Sequence, residues 1–367
     1  MWFIALRNLL QEKTRLIISV GGVAFSVTLI MILAGLYQGW QNKIGEYIRA
    51  VPADIWVMQS GSEDLFHTPS ILPLNLAEDL KHVEGVASAK PFNARRLVAT
   101  VNDSKLNLYV VAFDSANDVG KPARIVDGKP SPGQGEIIID RSQRKKIKLG
   151  DSVMAAGQTL KVVGFSEGGD LVTSSFAFAL KDDLNKIQKL PEAANLFVIE
   201  VNPGEDPDKV MENIKSKVPN VEAVTKDKYV SNNTKIVTDN FLPVILVLLV
   251  IGVVVGIAVI GLTIFTSTIE KSREYGVLKA IGMKNRQLYT VVIEQALIAG
   301  LIGYAVGAGL AFGLGGGLGQ YVPQFVTQIR WFDVAWVFGL TLLMSVVAAY
   351  LPIRRIARID PAEVFKS

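Results

Sequence analysis

The chain has 367 residues, half of them hydrophobic and 20% charged, with a net charge of +4 and a mean hydropathy of +0.33. Soluble domains carry about 25% charged residues, so this balance argues against a wholly soluble protein, and the length leaves room for two or three folding units. With no cysteine, a disulfide framework, a thiolate nucleophile and a Cys-based metal site are excluded.

The apolar excess is concentrated in four runs. Leu16 to Tyr37 gives 22 uncharged residues, and a helix needs roughly 20 to cross the hydrocarbon core. This run is longer than a signal-peptide core and no A-x-A site follows, so it is expected to remain as an anchor. Its helix is expected to continue to Ala50 as a stalk and to end at Pro52, because proline disfavours helix at the residue before it. The first unit boundaries are therefore 1–15, 16–50 for span and stalk, and 51–238 for a domain between spans.

That domain reads as mixed α/β and is large enough for its own core. Ala53–Gln59 alternates like a strand, and Leu97–Val101 with Leu106–Phe113 predicts a hairpin across Asn102-Asp103-Ser104. Glu136–Asp140, Ser152–Ala155 and Thr159–Phe165 are further strands, and Lys181–Lys189 and Asp208–Val218 are amphipathic helices. Arg141–Lys148 is a basic run expected on a helix and read as a solvated face, not a nucleic-acid site.

The second run, Phe241–Phe265, has 25 uncharged residues and defines a span within 239–268. A polar loop follows at 269–287. Ala296–Leu318 (span within 288–318), a short loop at 319–333, Val334–Leu351 (span within 334–352) and a tail at 353–367 complete the chain. Lys and Arg concentrate at three places: Arg7, Lys13 and Arg15; Lys271, Arg273, Lys279, Lys284 and Arg286; and Arg354, Arg355, Arg358 and Lys366. The positive-inside rule assigns both termini and the 269–287 loop to the cytoplasm and the 51–238 domain to the outside. The expected fold is an α-helical membrane protein of four transmembrane helices with a large extracytoplasmic α/β domain between spans 1 and 2.

Catalytic signatures are absent from the sequence. There is no G-x-S-x-G elbow, and His67 and His82 have no metal-ligand spacing. Gly120-Lys121 and Gly128-Lys129 are followed by proline and lack the spaced glycine of a phosphate-binding loop. Ser131-Pro132-Gly133-Gln134-Gly135 reads as a turn, and Gly313–Gly319 has no strand before it. No catalytic, cofactor-binding or metal-ligating residue is assigned, and the chain is not expected to hydrolyse ATP itself.

The most specific segment is Glu270-Lys271-Ser272-Arg273-Glu274-Tyr275-Gly276-Val277-Leu278-Lys279-Ala280-Ile281-Gly282, which turns amphipathic and stops at a glycine, the usual residue at a helix C-terminus. It resembles the coupling region of ABC-transporter permeases of the MacB/FtsX/LolC-LolE type, roughly E-x-x-R-E-x-G-x-L-(K/R)-A-(I/L)-G. The resemblance continues through Arg286-Gln287-Leu288, Ile293-Glu294-Gln295-Ala296-Leu297 and the closing Arg355-Ile356-Ala357-Arg358-Ile359-Asp360-Pro361-Ala362-Glu363-Val364. Gly135–Asp140 and Lys148–Gly164 are similar to the family's periplasmic core domain.

The resemblance implies an amphipathic helix over Trp2–Glu12 at the inner surface and pairing with a second copy or close paralogue through the first two spans. It implies a dimeric ATPase on separate polypeptides carrying ATP and Mg, and a cytoplasmic (inner) membrane location in a bacterium. The 270–282 segment would seat on the ATPase and pass its motion to the outer domain, driving export or extraction of an antibiotic, peptide, lipid or lipoprotein. Two alternatives stay open: a regulatory permease that activates an external cell-wall hydrolase, and a haem exporter, for which Met31, Met344, Glu294 and the tyrosines are the available ligands. An extracytoplasmic adaptor is a further expected partner type. Gly35/Gly39, Gly252/Gly256, Gly303/Gly307 and Gly309/Gly313 are small-x-x-x-small pairs suited to packing within or between chains. Pro243 is expected to permit a bend in the second span. Glu294 is the notable ionisable residue of the third span, serving a function or pairing with Arg286 or a tail arginine.

Overall fold

The computed structural model describes residues 12–66, 69–102, 104–115, 119–171, 174–188, 193–322 and 325–357. It divides into two compact units, one formed by residues 1–39 with 240–367, the other by residues 40–239. Residues 2–11 of the expected Trp2–Glu12 helix, the tail from Arg358 and His67 lie outside the described residues, and Glu12 itself is described but not helical.

Among the described residues, four helices are long and apolar enough to cross a membrane. The first, α1 (Lys13–Ala50), has 38 residues and is about 57 Å long at 1.5 Å per residue. It belongs to the first unit up to Gly39 and to the second from Trp40.

In the second unit, β1 (Ile55–Gln59), the short β2 (Leu72–Pro73), α2 (Leu76–Lys81) and β3 (Val86–Phe92) come first. Strand β4 (Ala94–Val101), β5 (Ser104–Phe113), β6 (Arg124–Gly128), β7 (Glu136–Asp140), β8 (Ser152–Ala155), β9 (Gln158–Glu167) and β10 (Ser175–Leu180) follow, then α3 (Lys181–Gln188) and the two-residue β11 (Ala193–Ala194). The chain returns through β12 (Leu196–Val201), α4 (Pro207–Lys217), β13 (Val221–Thr225) and α5 (Lys226–Asn240).

Strands β13-β1-β12-β3 form one antiparallel sheet. With α2 and α4 this is a β-α-β-β-α-β arrangement with a ferredoxin-like strand order, split by everything between β3 and β12. Alternate residues of this sheet (Ile55, Val57, Phe197, Ile199) pack with Leu80, Val210 and Ile214 from the helices. On the other face Trp56 stacks on Tyr229 of α5 at 4.6 Å and meets Phe92 edge-on at 5.3 Å.

The inserted strands form the second sheet. In the order β9-β7-β10-β5-β4-β8 they close on themselves, because β8 also pairs with β9, and β6 extends β9. Closure removes the edges that would otherwise invite pairing with other chains. Small and branched residues (Ala99, Leu108, Ile137, Val162, Ala177) fill the interior. Outside, Tyr47 of α1 packs on Phe176 and Phe178 at 4.4 and 5.4 Å. Two asparagines clasp the crossings between sheets: Ala94 N–H donates to Asn195 Oδ1 at 3.0 Å and Asn195 N–H to Asn93 Oδ1 at 2.7 Å.

The expected strands and hairpin are present, but the basic run is not a helix. Only a 3₁₀ turn at Arg141–Gln143 forms, started by Asp140, whose carboxylate accepts the Ser142 N–H at 2.9 Å. Helix α5 was not expected; it is polar along much of its length, and Asn232 and Asn233 bond the loop at Glu63 and Leu65.

In the first unit, α1 is joined by α6 (Leu242–Glu270), α7 (Ser272–Ala280), α8 (Asn285–Tyr321), α9 (Trp331–Ala348) and α10 (Tyr350–Ala357). Pro243 sits in the first turn of α6, where a missing N–H costs no helical bond, so it starts the helix and does not bend it. The expected glycine pairs pack inside this unit. A Cβ on Gly252 or Gly256 would meet Ile30 or Met344, and on Gly303 or Gly307 would meet Val23 or the Ala24 carbonyl. Gly35 and Gly39 abut Ile329 and Val326, whereas Gly309 and Gly313 have nothing within 4 Å.

Candidate functional site

The coupling-like segment folds as the nine-residue helix α7, directly after α6. Its end is set by backbone chemistry. Gly282 has φ +97°, and its N–H donates to the Lys279 carbonyl at 3.0 Å while Met283 N–H donates to Leu278 at 3.0 Å. This paired pattern is the Schellman motif, which needs a left-handed residue at the turn. A Cβ on Gly282 would touch nothing, so glycine is required by conformation alone.

The helix has two faces with different surroundings. Tyr275 is 4% exposed and Gly276 is buried, with Leu278 and Lys279 half-buried. Arg273, Glu274, Val277 and Ala280 are exposed, as are Ile281 and Gly282 just beyond. Val277 and Ile281 are 42% and 76% exposed. Residues 273, 274, 277 and 281 follow helical spacing and form one ridge. Sequence alone left the apolar residues unsorted; Tyr275 turns inward, while Val277 and Ile281 turn outward.

The inward face is tied down at several points. Tyr275 lies in the apolar cluster that includes Leu288, Val292 and Ala296 of α8 and Ile356 of α10, with Leu278 packed against it. Burial, then the nearby charges of Glu274 and Glu12, push its phenol up to about 12, with Gln295 as an opposing hydrogen-bond partner. Lys279 Nζ donates to the Ile356 carbonyl at 2.8 Å.

At the head of the helix, Glu12 accepts from Arg15 at 2.7 Å and from Lys271 at 3.0 Å, with Ser267 Oγ at 3.3 Å. Arg15 also pairs with Glu270. Burial raises the Glu12 carboxyl, but Lys271 and Arg15 outweigh it and hold it below the ordinary 4.5. Beside this cluster is a cavity of about 20 Å³ lined by Ser19, Thr263, Ser267 and Gln295 as well as Glu12 and Arg15, room for one water. Sequence reasoning missed Glu12 and Arg15 as partners of the segment. Their opposite charges beside the first span were the available signal.

Glu294 is half-buried in α8. Among the described residues it makes no ion pair with Arg286, Arg354 or Arg355, and its Oε2 is buried without a hydrogen-bond partner.

Two family models cover this architecture. The MacB-like periplasmic core domain matches residues 16–217, and the FtsX-like permease C-terminal region matches residues 246–361. The first alone spans more than half of the chain. The chain belongs to the MacB/FtsX family of ABC-transporter permeases. The permease is 25% identical over 373 residues to an uncharacterised ABC transporter permease of Mycobacterium tuberculosis, covering 100% of this chain and 99% of that one. It is 20% identical over 342 residues to a Staphylococcus haemolyticus chain named, provisionally, as the hemin transport system permease protein HrtB, covering 92% and 91%. Among solved structures, the periplasmic region of MacB from Actinobacillus actinomycetemcomitans matches with a TM-score of 0.36 and 15% identity, covering 54% of the permease and 98% of that chain. The second family model includes the whole of α7 with its α8 and α10 neighbours, whereas Glu12 and Arg15 lie outside both matches. Membership implies an ATPase partner for the permease.

Proposed function

We propose that the permease docks a separate ATPase subunit through the outward ridge of α7 and passes the ATPase's motion along the spans to its α/β domain, which acts outside the cytoplasmic membrane. The single observation that supports this most directly is the sorting of one short helix into a mounted face and an exposed face. Val277 and Ile281 present apolar area beside the charged Arg273 and Glu274, a mixture suited to a protein groove. Both termini lie in the cytoplasm in this reading, two permease copies pair, and the work done is export or extraction of a hydrophobic or amphipathic molecule.

Hemin belongs to that substrate class, and the staphylococcal relative's name favours it as a second reading. Met31 and Met344 are both fully buried in the four-span unit. Of these two and Glu294, only Glu294 offers a polar atom without a partner among the described residues.

The test is capture of the ATPase from the native membrane by tagged permease, wild type against Val277→Asp/Ile281→Asp. Capture by wild type and loss in the variant, with an unchanged melting curve, is the expected result. Equal capture by both rules out the ridge as the docking surface.

A further inference from the structure

The head of α7 carries charge that the docking ridge does not use. Lys271 is 12% exposed at its side chain and turns toward Glu12, away from the ridge. Glu12 and Arg15 are each 24% exposed. Isolated surface ion pairs contribute little, but several charges in one partly sheltered network hold a geometry better. Here four charged groups from two segments far apart in sequence (Glu12 and Arg15; Glu270 and Lys271) join in one cluster.

The other fixings of α7 reach different elements. Tyr275 packs into the cluster with α8, and Lys279 bonds the backbone near the end of α10. A helix attached only to α6 would swing about the break at Lys271, where the backbone leaves helical geometry (φ −88°, ψ 10°). The cluster fixes that pivot to the start of α1, while Tyr275 and Lys279 oppose the swing by holding the helix beyond it to α8 and α10.

We infer that the Glu12–Arg15–Glu270–Lys271 cluster is a positioning device that fixes the base of α7 to the start of the first span, so that, with Tyr275 and Lys279 holding the rest of the helix, a pull on the ridge moves the four-span unit as one body. The inference rests on the docking reading above. Glu12 and Lys271 act through α7 and make no contact with the ATPase.

The experiment uses full-length permease in nanodiscs. Glu12→Gln, Lys271→Gln, the double variant and Lys271→Arg are compared for two properties: binding of the ATPase that the wild type captures, and the ATP hydrolysis rate of the complex. Neutralising either charge is expected to leave binding within about twofold and to lower permease-dependent stimulation by about fivefold or more, the lower end of couplings between sites. The double variant is expected to be no worse than Glu12→Gln alone, because that change already removes the Lys271 ion pair together with the one to Arg15. Lys271→Arg is expected to retain stimulation.

Amide exchange over 272–280 gives a readout that needs no ATPase. It is expected to accelerate in both neutral variants and to stay slow in Lys271→Arg. Unchanged stimulation at full binding overturns the mounting, as does loss of binding, which makes Lys271 a docking contact. If the wild type captures no ATPase, the proposed function fails, and unchanged exchange in the variants overturns the mounting separately.

Discussion

Truncating Ile281 and truncating Tyr275 are expected to have opposite consequences, although the residues are six apart on one segment. Complete burial of an isoleucine side chain is worth about 1.5–3 kcal/mol. Ile281 is 76% exposed before docking, so burial in an ATPase groove recovers about three quarters of that. Ile281→Ala therefore removes about 1–2 kcal/mol of binding, which is about 5- to 30-fold in Kd. The melting temperature is expected to stay put, since little buried area is lost. Tyr275 is 4% exposed and has no area left to contribute to docking. Its truncation leaves a cavity against α8, and large aromatic-to-alanine changes cost about 3–5 kcal/mol of stability. The assay pairs equilibrium binding of the ATPase to nanodisc permease with a thermal melt. An Ile281→Ala permease that binds as tightly as wild type refutes the assignment of the outward face.

Three other outcomes are open to direct measurement. Gly307→Ala places a methyl 2.6 Å from the Ala24 carbonyl, whereas Gly309→Ala meets nothing; in thermal melts the first is expected to cost about 1–3 kcal/mol and the second about zero. Tyr47→Phe removes a buried hydroxyl that has no hydrogen-bond partner among the described residues while keeping the ring against Phe176; it is expected to be neutral or to raise stability by about 1 kcal/mol in denaturant titration. Burial pushes the Glu200 carboxyl up, but Lys90 and Ser88 outweigh it and hold it below the ordinary 4.5. A depressed carboxyl contributes stability above pH 4.5 that is lost as pH falls through the folded value. Melts at pH 7 and pH 3 are therefore expected to differ less for Glu200→Gln than for wild type, and an equal difference refutes the pairing.

The spans were legible because a long charge-free run has few alternatives to crossing a membrane. The hairpin at Asn102 and the stop at Gly282 were legible for a similar reason: each depends on local backbone chemistry. What escaped was decided by distant neighbours. Strand β10 alternates Phe and Ala, with alanines inside the closed sheet and Phe176 and Phe178 against Tyr47. Both faces are covered, so after Ser175 the strand carries no polar residue that marks an outer face. Helix α5 contains Asn and Thr, poor helix formers, and is held by tertiary contacts such as Trp56 on Tyr229. The basic run at 141–148 misled because charge spacing says nothing about the Asp140 cap that turns it. At the candidate site, the composition of α7 was plain, but the direction of Tyr275 depended on α8, more than ten residues downstream. Glu12 could be placed beside Lys271 only by folding the chain across more than 250 residues.

The split sheet also constrains the order in which the chain can fold. Strand β1 emerges early, yet its partners β12 and β13 come about 140 and 165 residues later. Closing such a long loop by chance is slow, because the entropy cost precedes any reward. The inserted closed sheet offers a shortcut, since its two ends are clasped together by Asn93 and Asn195. Once it has formed, Phe92 and Leu196 are delivered side by side, ready to pair. The insertion thus serves as a template for its host: β1 waits unpaired until the later-made barrel brings the ends of the sheet within reach.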